Sequence, residues 1–154
     1  MILLEKAWAK LHGGYCKIRS GHMATALAAL TNKPSIVIDH DLVKDLNKEV
    51  WDKLRYANHL YAKVCASSSA ADNFTETVSK GIVTSHGYAV IGVHEIVQHG
   101  ETIRLLKLRN PWGSSEWDGD WSDKSHKWTP DLRQQLGHKD AEDGIFFIAL
   151  TDYI

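Results

Sequence analysis

The chain has 154 residues, 44% hydrophobic and 24% charged, with a formal net charge of −1. These proportions fit one globular domain and exclude a disordered chain or a strongly basic nucleic-acid-binding one. No apolar run approaches the roughly 18 residues of a membrane-spanning helix, and the N-terminal stretch carries charges with no signal-peptide pattern.

Residues 2–12 place Leu3, Leu4, Ala7, Trp8 and Leu11 on one face at helical spacing, with Gly13 as a stop. A second, Ala-rich helix is expected from His22 to Leu30, and Ser35 to Ile38 reads as a short strand after Pro34. Asp39 or Asp41 then caps a helix running to about Ala57, on which Leu42, Leu46, Val50 and Leu54 recur every four residues. Tyr61 to Ala66 reads as a buried strand, and the small residues 66–71 as a surface loop. Gly87 to Val97 and Thr102 to Arg109 are long strands joined through Gln98-His99-Gly100. Thr129-Pro130-Asp131 opens a helix that Gly137 ends, and Gly144 to Leu150 is a final strand. Helices first and antiparallel strands later give an α+β fold. Cys16 and Cys65 are too isolated for a disulfide scaffold and suit a reducing compartment, so a cytoplasmic location is expected. The scattered histidines show no zinc-ligand spacing.

The hairpin makes a geometric prediction. With its turn between residues 98 and 100, residue 86 faces the neighbourhood of residues 110 to 114, so His86 and Asn110 share one open end of the strands. A histidine held by an amide oxygen is a positioned general base, although such pairs at strand ends are commonly structural.

At these residues the sequence resembles the calpain family of cysteine proteases. Ser-His-Gly-Tyr-Ala-Val (85–90) is similar to its histidine motif, and Leu-Arg-Asn-Pro-Trp-Gly (108–113) to its asparagine motif. The run from Glu116 to Asp123, Trp128, the helix around Leu3 to Ala7, and Glu142-Asp143-Gly144 continue the resemblance, which is weak between about residues 14 and 80. It implies a papain-like α+β fold, in which about 1–33 end a helical part and about 34–154 form a β-rich half-barrel lobe. It also implies that His86 is the general base and acid, Asn110 its orienter, and Trp112 a shield over their hydrogen bond. Trp112, Trp117, Trp121 and Trp128 crowd one stretch and read mainly as anchors of a long loop. Calcium is implied through Glu116, Asp123 and Asp143, with carbonyls near Ala141 and Ile145. Gly21 would match a glycine lining the substrate cleft, and Ser85 stands where the family usually has glycine beside that cleft.

The nucleophile segment that the resemblance calls for, Gln…Gly-Asp-Cys-Trp, does not occur among these residues. Cys16 follows a helix instead of opening one, and Cys65 falls in a buried strand. The chain is therefore expected to be the His- and Asn-bearing part of a calcium-dependent endopeptidase, inactive alone, with the Cys-bearing half as partner and a polypeptide as substrate. One face would expose apolar surface intended for that half. The alternative is a non-catalytic, calcium-responsive binding or scaffold module. A chance match of motifs would instead leave His86 and Asn110 apart.

Overall fold

The computed structural model describes residues 2–42, 45–60, 64–67 and 78–154. The chain divides into two compact units, Met1–Val37 and Ile38–Ile154. The first unit holds α1 (Ile2–Leu11) and α2 (Met23–Thr31), both close to their expected bounds. Asn32 ends α2 in the left-handed conformation that asparagine tolerates well. Only Ala9 of α1 is buried, and the apolar stripe of Leu3, Leu4 and Leu11 is exposed. The strand expected at 35–38 is absent: these residues form no ladder with any described residue, and Ile36 and Val37 are exposed. β-branched composition favours a strand only where a ladder exists to receive it.

In the second unit, α3 (Leu46–His59) starts later than expected. Asp45 is its cap, accepting a hydrogen bond from the Lys48 backbone N–H at 3.1 Å, while His40–Leu42 forms a separate single turn with Leu42 exposed. Val50, Trp51 and Leu54 form the buried side of α3; the side chain of Leu46 lies outside those described. Of the strand expected from Tyr61, residues 61–63 lie outside the described residues, and β1 runs Val64–Ser67. Of the loop expected at 66–71, Ala66 and Ser67 belong instead to β1, and 68–71 lie outside the described residues.

A small hairpin of β2 (Val78–Ser79) and β3 (Ile82–Val83) precedes the long pair β4 (Gly87–Gln98) and β5 (Glu101–Arg109). His99 and Gly100 both take positive φ in the two-residue turn between β4 and β5, which matches the natural twist of a hairpin. After α4 (Pro130–Leu136), β6 (Ile145–Ala149) pairs with β5, and α5 (Leu150–Tyr153) closes the chain. The described strands form an antiparallel sheet of order β1-β4-β5-β6, so the fold is α+β.

Period-two alternation splits β6 between two cores. Phe146 and Ile148 join Val50, Trp51, Leu54, Tyr88, Leu106, Leu108 and Trp117 in one. Phe147 and Ala149 join Leu105, Trp121 and Trp128 in the other, against which Leu132 and Leu136 of α4 pack. Three tryptophans of the 112–128 stretch are thus buried loop anchors. Two of them spend their ring N–H on the loop itself: Trp117 donates to the Asp120 carbonyl and Trp128 to the Ser122 carbonyl, each at 2.8 Å.

Candidate active site

The β4–β5 ladder ends with Ala89 opposite Arg109. His86 and Asn110 lie just beyond it, at the same open end, and their side chains meet: His86 Nε2 is 2.9 Å from Asn110 Oδ1. Asn110 is fully buried. Its Nδ2 donates to the carbonyls of Ser114 (2.8 Å) and Ser115 (3.1 Å), and its Oδ1 also accepts from the Trp112 backbone N–H at 3.1 Å. Its backbone N–H donates to the Gly144 carbonyl at 2.7 Å, and its carbonyl accepts from the Gly113 N–H at 3.1 Å. Every polar group of the residue is engaged.

This saturation fixes a proton. An amide nitrogen facing two carbonyls cannot be exchanged for the amide oxygen without setting acceptor against acceptor. Oδ1 therefore faces the imidazole, and His86 Nε2 carries the hydrogen it donates. In the neutral ring Nδ1 is then the basic nitrogen.

The backbone around the pair is tightly specified. Gly144 has φ +81, and a Cβ there would lie 2.8 Å from both the Asn110 carbonyl oxygen and Gly113 Cα. Only glycine permits that approach. Trp112 lies against His86 with ring centroids 4.2 Å apart, and it is 52% exposed, so it covers the imidazole while remaining open to solvent itself. Ser85 adopts φ 53, a left-handed conformation in which glycine would be unstrained. Gly21 lies in the first unit ahead of α2, where a Cβ would meet nothing within 4 Å. Cys65 is half-buried in β1 and burial pushes its thiol up, opposite to the depression a nucleophile requires; Cys16 is exposed in the first unit.

The acidic residues gather around residues 141–145. Glu116 Oε1 accepts from the backbone N–H groups of Asp143 (2.9 Å) and Gly144 (2.6 Å). Asp143 Oδ1 accepts from the Ile145 N–H at 2.9 Å, and Asp123 Oδ2 from the Ala141 N–H at 3.1 Å. Burial raises the Asp123 carboxyl to about 6; the Ala141 N–H opposes that shift, and the charges of Glu116, Asp140 and Asp143 add to it. Asp123 Oδ1 is buried without an aligned hydrogen bond. The donor chemistry, hard carboxylate oxygens with one oxygen unspent, fits Ca²⁺ in kind. In arrangement the carboxylates are spread around the loop: among the described residues no three His, Cys, Asp or Glu side chains come close enough together to hold an ion.

Sequence reasoning did not single out His138 or Arg133. Arg133 Nη1 donates to His138 Nδ1 at 2.8 Å, so the neutral ring carries its hydrogen on Nε2, 3.3 Å from Asp123 Oδ1. Since arginine can only donate, that bond leaves Nδ1 without a hydrogen, and the contact with Asp123 is a neutral imidazole beside a carboxyl group; burial and the Arg133 charge also hold His138 below the usual histidine range. No local sequence signal marks this array, because its members come from a loop, a helix and a helix end. Tyr88 was also passed over; its ring meets the His86 imidazole with centroids 5.0 Å apart.

The sequence pattern of the calpain family of cysteine proteases matches residues 1–154. Calpain-9 of Mus musculus is 34% identical over 157 residues, covering 98% of this chain and 22% of that protein. Calpain-12 of Homo sapiens is 36% identical over 155 residues (99% and 21%), and the calpain-type cysteine protease DEK1 of Arabidopsis thaliana 35% identical over 158 residues (98% and 7%). The chain thus spans about a fifth of the length of the animal relatives.

Proposed function

The chain belongs to the calpain family of cysteine proteases, and on that premise we propose that it supplies the general base His86 and the orienting Asn110 of a calcium-dependent cysteine endopeptidase. The nucleophilic thiol is proposed to come from a segment outside these 154 residues, since burial disfavours the Cys65 thiolate and Cys16 follows α1 instead of opening a helix. The observation that carries the reading is the 2.9 Å contact between His86 Nε2 and an Asn110 amide whose other polar groups are all spent. It also opposes a chance match of motifs, which would leave the two side chains apart.

In this reading His86 Nδ1 takes the proton of the incoming thiol, and the thiolate attacks the peptide carbonyl. The imidazolium returns that proton to the leaving amine, leaving a thioester that water hydrolyses with His86 again as base. Asn110 holds the ring through both half-reactions, and Trp112 limits solvent access to it. Asn110 remains neutral and positions the charge that forms on His86 without moving a proton. Calcium is proposed at the loop of Glu116, Asp123 and Asp143, with the carbonyls of Ala141 and Ile145, on the strength of its donor chemistry. Ser85 and Gly21 are proposed cleft positions. Among the described residues no helix is long and apolar enough to cross a membrane, and a cytoplasmic location is proposed.

The test joins the chain to the proposed cysteine-bearing segment and follows calcium-stimulated hydrolysis of a fluorogenic peptide. His86→Ala is expected to lower kcat/KM by about 10³-fold. A folded, calcium-loaded enzyme indifferent to that change would overturn the reading. One without any activity would favour the binding-module alternative. A calorimetric Ca²⁺ titration of wild type and Asp123→Ala tests the metal separately: weaker binding in the variant is expected, and unchanged binding removes Asp123 as a ligand.

A further inference from the structure

Asn110 and Trp112 both contact the His86 side chain. A third contact is Tyr88. Thr84, Ser85 and His86 form the turn from β3 to β4, and Ser85 within it adopts φ 53, a backbone conformation that L residues rarely take. Such a turn keeps its shape only where its surroundings over-determine it.

Tyr88 provides one such constraint. Its phenolic oxygen accepts a hydrogen bond from the buried Val83 N–H at 2.9 Å, reaching back across the turn to tie position 88 to position 83. The ring is 3% exposed and meets Phe146 edge-on, with centroids 5.9 Å apart. Tyr88 is thereby anchored at its hydroxyl and along its ring. The same ring meets the His86 imidazole at 5.0 Å and 89°. One side chain thus touches both the backbone leading to His86 and one face of its ring.

We propose that Tyr88 is a positioning residue for His86, its hydroxyl stapling residues 83–88 so that the imidazole presents Nε2 to Asn110 in one orientation. The proposal rests on the base-and-orienter reading of that pair.

The experiment compares the 154-residue chain with its Tyr88→Phe variant, which keeps the ring and its packing on Phe146 and removes only the acceptor. The readout is the rate at which the His86 Nε2–H proton exchanges with water, measured by proton NMR. Near-UV circular dichroism of the buried Trp121 and Trp128 certifies the fold. Exchange is expected to accelerate roughly five- to tenfold in Tyr88→Phe, the loss of one hydrogen bond from the closed state. Ile148→Val, which thins the same core without touching the turn, is expected to leave the rate unchanged. A slowed proton in wild type that stays equally slow in Tyr88→Phe overturns the proposal alone. Equal acceleration by Ile148→Val overturns it too, by showing a general loosening. Absence of a slowed His86 Nε2–H in wild type overturns the base-and-orienter reading and the proposal with it.

Discussion

His86 and His138 each face an oxygen of a buried side chain, and their surroundings treat that oxygen in opposite ways. At one corner His86 Nε2 meets Asn110 Oδ1 at 2.9 Å, and the amide is saturated by neutral donors and acceptors. At the other, His138 Nε2 lies 3.3 Å from Asp123 Oδ1 without an aligned hydrogen bond. An amide can be satisfied in a buried setting without net charge, whereas a carboxylate there needs a positive partner. His138 does not supply one, because Arg133 occupies its Nδ1 and holds the ring neutral. The first corner is complete as it stands. The second carries unmet demand for positive charge, which supports the proposal that a cation is bound there.

The largest expected effect breaks the complete corner. Asn110→Ala strands the carbonyls of Ser114 and Ser115 and the N–H groups of Trp112 and His86, and it should lower stability by about 3 kcal/mol in urea unfolding. A loss below about 1 kcal/mol would mean that the amide's bonds contribute little. Gly144→Ala should follow, at about 2 kcal/mol, because the new Cβ meets the Asn110 carbonyl oxygen at 2.8 Å and φ is +81. It should also displace Asn110, seen as a shift of the Asn110 side-chain amide resonances; unmoved resonances would show that the two backbones part without cost.

The charge-poor corner makes a prediction of opposite character. Asp123 titrates near 6 in the folded chain against an ordinary 3.8, so the folded state binds its proton the more readily. Its contribution to stability is therefore full below about 3.8 and is lost as pH rises through about 6. Without added cation, wild type should gain on Asp123→Asn by on the order of 2 kcal/mol between pH 7.5 and pH 4. His138, held low, shifts stability the other way as pH falls below the usual histidine range, but it does so in both proteins. Parallel stability curves would show that Asp123 carries no such strain. The smallest effect is at Trp112, which is half exposed: Trp112→Ala should cost under about 1 kcal/mol while accelerating exchange of the His86 Nε2–H. An unchanged exchange rate would leave Trp112 as mere surface.

What the sequence disclosed follows the range of the forces involved. The β4–β5 hairpin, the capped helix from Thr129 to Gly137 and the final apolar strand within Gly144 to Leu150 are written in adjacent residues, and the structure has them. The meeting of His86 with Asn110 followed because one tight turn sets the register of both strands. The supposed strand at 35–38 failed because a strand needs a partner that its own residues cannot announce. The helix α3 starts later than expected because the cap is Asp45 and neither Asp39 nor Asp41, a choice the fold makes. The hydroxyl of Tyr88 on Val83 and the Arg133–His138–Asp123 array depend on side chains meeting across loops, for which no local periodicity exists.

The central claim is that Asn110 holds His86 in the tautomer a general base requires, and the imidazole nitrogens report this directly. In a long-range proton–nitrogen correlation spectrum recorded above the titration of the ring, His86 should show a protonated Nε2 and an unprotonated Nδ1, and Asn110→Ala should abolish that preference. A neutral His86 protonated at Nδ1, or a tautomer indifferent to the loss of Asn110, would contradict the account.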